Sequence, residues 1–180
     1  MVYVHFAEGF EEIEAVSIVD VLRRAGIPVK MISVTGNKLV TGNHSIPVMT
    51  DVLFENADYS EGDMLVLPGG LPGAHNLRAH KGLESKLLQY KKEGKWIGAV
   101  CAAPYVLGDL GIFEGEKATC YPGFEDHLNG AVKVIEPALI SGKVVTGRGP
   151  GVAIKFALKI VEALKGVDIA NEVAHKMLVD

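Results

Sequence analysis

The amino-acid sequence predicts an α/β protein in which helices cover both faces of a mostly parallel central sheet, a three-layer α/β/α sandwich. Two observations favour this fold class. Short, continuously apolar runs alternate with helical patterns, which is typical of parallel strands that are buried on both faces. The helical segments are also followed by glycine, the residue that most often ends a helix.

The predicted elements follow one another in a regular order. Apolar runs predict strands over residues 2–6, 29–32, 64–67, 96–100 and 144–146. Helical patterns cover residues 11–25, 83–93, 152–165 and 167–178, and glycines follow the first three at 26, 94 and 166. Pro104 and Pro150 suit first helical turns. The similar stretches 34–37 and 40–43 predict a short antiparallel meander, because each contains turn residues.

Length and composition favour one domain over residues 1–180 that interacts with small molecules. The chain has 180 residues, is 48% hydrophobic and carries a net charge of −4 without blocks of one sign, which argues against nucleic acid or a membrane surface as a partner. No apolar run approaches the ~20 residues of a membrane helix, and no basic region precedes an export-type stretch, so we expect a cytoplasmic protein. The two cysteines and the histidine spacing predict neither a disulfide framework nor a metal site.

Ligands of such sheets bind beyond the carboxyl ends of the strands, where four unusual segments should converge. These are residues 7–10 leading to Glu14, residues 68–70, Cys101, and residues 147–151. Three of them contain glycines whose N–H groups can approach a substrate and stabilise an oxyanion. The Gly69-Gly70 pair is equally consistent with a tight turn, and residues 147–151 match neither a dinucleotide fingerprint nor a phosphate loop.

Cys101 is the candidate nucleophile. It lies where an apolar strand ends and a helix begins, among small residues and three positions before Pro104, which predicts a strand-to-helix elbow that exposes the sulfur to backbone N–H groups. The alternative is an inert buried thiol. We expect that second role for Cys120, which lacks such a setting. The six histidines are scattered, and none lies beside Cys101 in sequence.

Glu14 is the candidate proton partner of Cys101. It shares a helical stripe with Ile18, Val21 and Ala25, so its carboxyl group should be buried on the apolar face. Burial raises the pKa of a carboxyl group, which can then stay protonated and donate a hydrogen bond to a thiolate. The alternative is that acids in this turn only complement the helix dipole, and we accept it for Glu11 and Glu12.

Four motifs resemble those of the ThiJ/PfpI superfamily, in the same order and over nearly the whole chain. They are Ala7-Glu8-Gly9-Phe10-Glu11-Glu12-Ile13-Glu14, Val66-Leu67-Pro68-Gly69-Gly70, Ala99-Val100-Cys101-Ala102-Ala103-Pro104 and Arg148-Gly149-Pro150-Gly151. The similarity is closest to the parkinsonism-associated deglycase branch. It implies a flavodoxin-like sandwich, a homodimer, Cys101 as an oxidation-sensitive nucleophile and Glu14 as its protonated partner.

The resemblance also implies the surroundings of the sulfur. Backbone N–H groups of Gly70 and Ala102 would line the oxyanion side, and Tyr121, Arg148 and Pro150 are candidate pocket residues. Tyr121 stands where several relatives have a histidine, and His44 stands where an arginine is common. The protease branch has a histidine directly after its cysteine, but this chain has Ala102, so a Cys-His peptide hydrolase is not favoured.

Two functions remain open at this point. The first is an enzyme without metal or organic cofactor, a glyoxalase or deglycase that acts on methylglyoxal, glyoxal or early glycation adducts through Cys101. The second is a non-enzymatic oxidative-stress sensor or chaperone that is switched by oxidation of Cys101.

Overall fold

The structure, a computed structural model, describes residues 1–179 and has a seven-stranded central sheet. The strands of the chain are β1 (Val2–Phe6), β2 (Val29–Ser33), β3 (Leu39–Thr41), β4 (Pro47–Met49), β5 (Val52–Leu53), β6 (Met64–Leu67), β7 (Trp96–Val100), β8 (Lys117–Ala118), β9 (Val132–Lys133), β10 (Ala138–Ser141) and β11 (Val144–Gly147). The sheet order is β10-β11-β7-β6-β1-β2-β5, and only the β10–β11 pair at one edge is antiparallel. The predicted mostly parallel sheet is therefore confirmed.

Six helices form the two outer layers. They are α1 (Glu12–Arg24), α2 (Gly73–Ala79), α3 (Lys81–Lys92), α4 (Pro104–Asp109), α5 (Ala153–Lys165) and α6 (Val167–Lys176). Buried side chains of α2, α3 and α4 form one apolar cluster with the sheet, and those of α1, α5 and α6 form a second cluster. Two separate cores on opposite faces of one sheet confirm the three-layer α/β/α sandwich and its flavodoxin-like class.

Strand β1 shows how the sequence builds both cores. Val2, Val4 and Phe6 pack into the cluster under α1, whereas Tyr3 packs into the opposite cluster. Successive side chains of a strand point to opposite faces, so a strand between two helical layers must be apolar at every position. The exception is His5, a buried polar residue whose Nε2 lies 3.0 Å from the Tyr59 hydroxyl. Burial is the main cause that lowers the pKa of His5 to about 3.

Most predicted boundaries lie within two residues of the observed ones. Three of the five predicted strands coincide with β1, β6 and β7, and the glycines after α1, α3 and α5 adopt positive φ angles of +64°, +66° and +89°. Pro104 is the first residue of α4 and Pro150 begins a single 3-10 turn. The prediction of one domain over residues 1–180 stays a prediction, since Asp180 lies outside the described residues.

Other parts of the chain differ from the sequence prediction. The predicted meander is a single hairpin of β3 and β4, because residues 34–37 form only bends. Helix α2 and the small parallel β8–β9 pair were not predicted, since a seven-residue helix and two-residue strands are too short to show periodicity. None of the helices within residues 1–179 combines the length and apolar character needed to cross a membrane.

Candidate active site around Cys101

The candidate site lies at the carboxyl ends of β1, β6 and β7, three adjacent strands in the middle of the sheet. Glu14 follows β1, Gly69 and Gly70 follow β6, and Cys101 follows β7. The strand order changes direction at β1, because the chain adds β2 on one side of it and β6 on the other. This is the crevice in which open α/β sheets bind ligands.

Cys101 occupies a strained elbow between β7 and α4. Its φ angle is +63°, in the left-handed region that residues other than glycine seldom adopt. Two backbone hydrogen bonds hold this conformation: Cys101 N–H donates to Gly147 O at 2.9 Å, and Tyr121 N–H donates to Cys101 O at 2.7 Å. The side chain is 8% exposed. The elbow therefore presents the sulfur above the sheet with little contact to solvent.

Gly69 and Gly70 are more than a tight turn. A Cβ atom on Gly69 would lie 2.6 Å from Cys101 Cβ and 2.8 Å from Glu14 Oε2, so only glycine fits between the two side chains. Gly70 has a φ angle of +89°, and a Cβ atom there would lie 2.4 Å from Glu11 N. The backbone N–H groups of Gly70 and Ala102 oppose the rise that burial causes in the pKa of the Cys101 thiol, but they do not outweigh it.

Helix α1 delivers Glu14 into the same crevice. The Glu11 carboxylate caps the helix by accepting the Glu14 N–H at 2.7 Å, and the Glu14 carboxyl group accepts the Gly69 N–H at 2.8 Å through Oε2. Glu14 is fully buried, and within residues 1–179 its Oε1 has no partner of standard hydrogen-bond geometry. The carboxyl group and the Cys101 thiol nevertheless lie close enough to perturb each other's pKa.

Between about pH 7 and about pH 12 the two groups together hold one proton, mainly on the thiol. Burial raises the pKa of Glu14 to about 7, although hydrogen bonds from Gly69 and Cys101 oppose the shift. Burial, and next the charge of ionised Glu14, raise the pKa of Cys101 to about 12. The expectation of a readily ionised thiol is thus not met while Glu14 carries the charge. Adjacent buried groups titrate as a pair, so a thiolate at neutral pH requires Glu14 to hold the proton.

Glu12 has a second role besides the expected one of complementing the helix dipole. It is 5% exposed, and its carboxylate accepts hydrogen bonds from His44 N–H at 2.6 Å and His44 Nδ1 at 2.8 Å. Burial opposes ionisation of Glu12, but these hydrogen bonds outweigh it and lower the pKa. The same contacts raise the pKa of His44. Glu12 therefore ties the β3–β4 hairpin to the first turn of α1.

Glu11, Glu12 and His44 are the described residues best arranged to hold a metal ion, since their ligand atoms lie within 4.8 Å of one another. The hydrogen bonds of Glu12 to His44 and of Glu11 to Glu14 already account for this grouping. The sequence-based expectation of no metal and no cofactor stays a prediction.

The remaining candidate residues lie around this centre in different ways. Tyr121 contacts Cys101 through its backbone, and its side chain is 46% exposed next to Gly149. Pro150 begins the turn that leads into α5. Arg148 lines a separate cavity together with Cys120, which is buried. The sequence analysis did not identify Glu11 as the N-cap residue of α1, whose carboxylate accepts the Glu14 N–H. The pattern that could have indicated this role is an acidic residue three positions before the buried Glu14.

The fold and the site define an α/β protein with a cysteine at a strand-to-helix elbow beside a buried carboxyl group. The chain matches the model of the DJ-1/PfpI family over residues 1–163, and it belongs to this family. It is 38% identical to Protein DJ-1 homolog B of Arabidopsis thaliana, with 98% of this chain and 41% of that protein covered. The chain thus spans less than half the length of that relative.

In two other comparisons the alignment covers most of both chains. The chain is 35% identical to a protein of Caenorhabditis elegans named glutathione-independent glyoxalase DJR-1.2, over 91% of this chain and 88% of that one. The structure described as oxidized Toxoplasma gondii DJ-1 superposes with a TM-score of 0.95 at 39% identity, covering 99% of this chain and 97% of that one.

Proposed function

We propose that the protein is a cofactor-independent glyoxalase or deglycase that uses Cys101 as nucleophile on small reactive aldehydes such as methylglyoxal and glyoxal, or on early glycation adducts. The observation that carries the proposal is the contact of a buried carboxyl group, with a pKa of about 7, with a strained thiol. The glutathione-independent glyoxalase among the relatives supports this choice of reaction.

The reactive form in this proposal has the proton on Glu14 and the charge on Cys101. The sulfur adds to the aldehyde carbon of methylglyoxal, and the electron pair of the carbonyl bond moves to oxygen. Glu14 protonates this oxygen, which gives a hemithioacetal. The N–H groups of Gly70 and Ala102 stabilise the oxyanion as it develops.

The remaining steps exchange protons and water without an external oxidant. The Glu14 carboxylate removes the proton from the former aldehyde carbon and returns it to the neighbouring carbon, and the hydroxyl proton of the hemithioacetal moves to the former ketone oxygen. The aldehyde carbon is thereby oxidised to a thioester while the ketone is reduced to an alcohol. Water then adds to the thioester, and the C–S bond breaks. The products are a hydroxy acid and the free thiol.

Turnover of methylglyoxal without glutathione tests the proposal. We expect the wild-type chain to form lactate, and Cys101→Ser to lose activity by at least about a thousandfold because the nucleophile is gone. Folded Cys101→Ser protein, checked by circular dichroism, serves as the control for structural damage. Equal rates for both proteins, or no lactate from the wild type, would contradict the proposal.

A second function is oxidative sensing, for which the oxidized state named for the Toxoplasma gondii relative is the motivating observation. Two peroxide molecules would transfer one oxygen each to the Cys101 sulfur, with release of two waters, and the sulfinate would accept hydrogen bonds from Glu14, Gly70 and Ala102. Mass spectrometry after peroxide treatment distinguishes the functions. Selective addition of two oxygens to Cys101 in a chain without methylglyoxal turnover favours the sensor or chaperone role.

We also propose a homodimer formed through α1 and the β3–β4 hairpin. Glu12 joins these two elements through its hydrogen bonds to His44. Both elements carry exposed apolar side chains, each between 49% and 60% exposed, namely Ile13, Val16, Leu39, Ile46 and Met49. Sedimentation of the wild-type chain and of Ile13→Glu tests this assembly. We expect a dimer and a monomer respectively, and a monomeric wild type at micromolar concentration would disprove it.

A further inference from the structure

A cavity of about 220 Å³ lies beside the second cysteine, Cys120, and is separate from the strand ends that carry Glu14 and Gly70. We name it the Cys120 cavity. Its walls include two cations, one acid, the Cys120 thiol and apolar side chains, namely Lys133, Arg148, Glu125, Leu128 and Val134. The proposed reaction at Cys101 uses none of these groups.

The positive charges of the Cys120 cavity are poorly neutralised by the protein. Arg148 forms no ion pair with any residue of the described chain, and the only ion-pair partner of Lys133 there is the fully exposed Asp126, at 3.2 Å. Exposed pairs of this kind contribute little free energy. The Glu125 carboxylate, which accepts the Gly123 N–H at 2.7 Å, offsets one of these charges, so two cations and one acid leave the walls with a net positive charge. The cavity therefore favours a ligand with negative charge.

The other walls select the kind of anion. Leu128 is an apolar residue of the wall and is 2% exposed, and Cys120 is 4% exposed. A volume of about 220 Å³ is below the range of drug-sized ligands and suits a molecule of a few carbon atoms. A carboxylate with a short hydrocarbon chain combines one charge, which a guanidinium can bind in bidentate fashion, with an apolar tail.

We infer that the Cys120 cavity is a binding site for short-chain monocarboxylates, in which Arg148 and Lys133 hold the carboxylate and Leu128 and Val134 contact the chain. Charges of both signs act on the neighbouring thiol: burial and then Glu125 raise the pKa of Cys120 to about 11, while Lys133 and Arg148 act in the opposite direction. The inference does not depend on the reaction proposed for Cys101.

Titration of the full chain with sodium butyrate, followed by NMR of the backbone amides, tests the site. We expect saturable shifts confined to residues 119–121 and 128–135 at millimolar butyrate, against sodium chloride at equal ionic strength. Arg148→Gln and Lys133→Gln should each weaken binding by about tenfold, since each removes a charge-assisted hydrogen bond. The matched substitutions at exposed cations elsewhere, Arg23→Gln and Lys38→Gln, should not change it.

Two results of the titration would overturn the inference. The first is a lack of saturable shifts at tens of millimolar butyrate, and the second is competition by inorganic phosphate with equal affinity, which would mean a general anion site. Alkylation offers an independent measurement in Cys101→Ser, where Cys120 is the only thiol. Butyrate should slow the reaction of Cys120 with iodoacetamide in this variant. An unchanged rate in saturating butyrate contradicts occupancy of the cavity.

Discussion

The two cysteines of this chain have similar burial but very different neighbours. Cys101 is 8% exposed and Cys120 is 4% exposed, and burial is the main cause of a raised pKa at both, to about 12 and about 11. Each thiol also has one carboxyl group nearby. At Cys101 this group is the fully buried Glu14, whereas at Cys120 it is the exposed Glu125.

This difference teaches that the neighbour, rather than the depth of the sulfur, decides what a buried thiol can do. Glu14 has a pKa of about 7, so it can hold a proton or release it under physiological conditions. Backbone N–H groups of Gly70 and Ala102 also favour charge on the Cys101 sulfur. Cys120 instead lines a cavity with Lys133 and Arg148, which favours binding of an anion over proton transfer.

Replacement of the buried acid should give the largest effect. Glu14→Gln keeps the shape of the side chain but removes the proton that it exchanges, so we expect methylglyoxal turnover to fall by about a hundredfold or more. The matched control is Glu12→Gln, a buried acid of the same helical turn that binds His44 rather than the thiol. Steady-state kinetics that show equal losses for both variants would remove the special role of Glu14.

The pH dependence of stability is the next effect in size. The pKa of Glu14 is raised from 4.5 to about 7 on folding. The folded state then binds more protons than the unfolded state between these values, so stability falls as pH rises through this window, by about 3 kcal/mol from this group. Urea denaturation at several pH values should reveal this loss as the difference between wild type and Glu14→Gln. Parallel curves for the two proteins would contradict the raised pKa.

Crowding of Gly70 against the backbone of residues 9–11 gives a smaller effect, for which the chain contains a matched control. Gly70 and Gly36 have similar positive φ angles of +89° and +82°, but a Cβ atom would clash only at Gly70, because nothing lies within 4 Å at Gly36. We expect Gly36→Ala to cost about 1 kcal/mol from backbone strain and Gly70→Ala to cost about 1–3 kcal/mol more. Equal losses in thermal unfolding would mean that the site is less tightly packed than described.

The relative reactivity of the two thiols gives the smallest effect. In wild-type protein at neutral pH, iodoacetamide should modify Cys101 at least about tenfold faster than Cys120, because only the carboxyl group beside Cys101 has a pKa near 7 and can take up the thiol proton. Peptide mass spectrometry at successive times measures both rates in one sample. Faster labelling of Cys120 would reverse the comparison.

The sequence predicted the central fold because its strands are buried on both faces and therefore continuously apolar, as in β6 and β7. The sequence also predicted that Glu14 and Cys101 lie at the same edge of the sheet. Both predictions rest on local patterns, namely the apolar helical stripe that contains Glu14 and the strand-to-helix elbow at Cys101. The sequence did not predict the hydrogen bonds between Glu12 and His44, because the two residues lie 32 positions apart. The orientation of Arg148 toward Cys120 is likewise a tertiary property, set by packing between segments distant in sequence.

The protonation state of the Cys101 thiol could not be predicted from local sequence patterns. An acid predicted to stay protonated suggested an easily ionised sulfur, but with Glu14 ionised the pKa of Cys101 is raised to about 12. Which group holds the charge depends on the balance of two desolvation costs and a few hydrogen bonds, and each is set by the folded geometry.

The rate of Cys101 alkylation as a function of pH is the most direct test of a proton shared between Cys101 and Glu14. The account predicts that the rate in wild-type protein rises with a midpoint near pH 7, the pKa of the buried acid, and that this midpoint moves above about 9 in Glu14→Gln. The same midpoint in both proteins, or a wild-type midpoint above 9, would contradict the claim that the two groups share one proton.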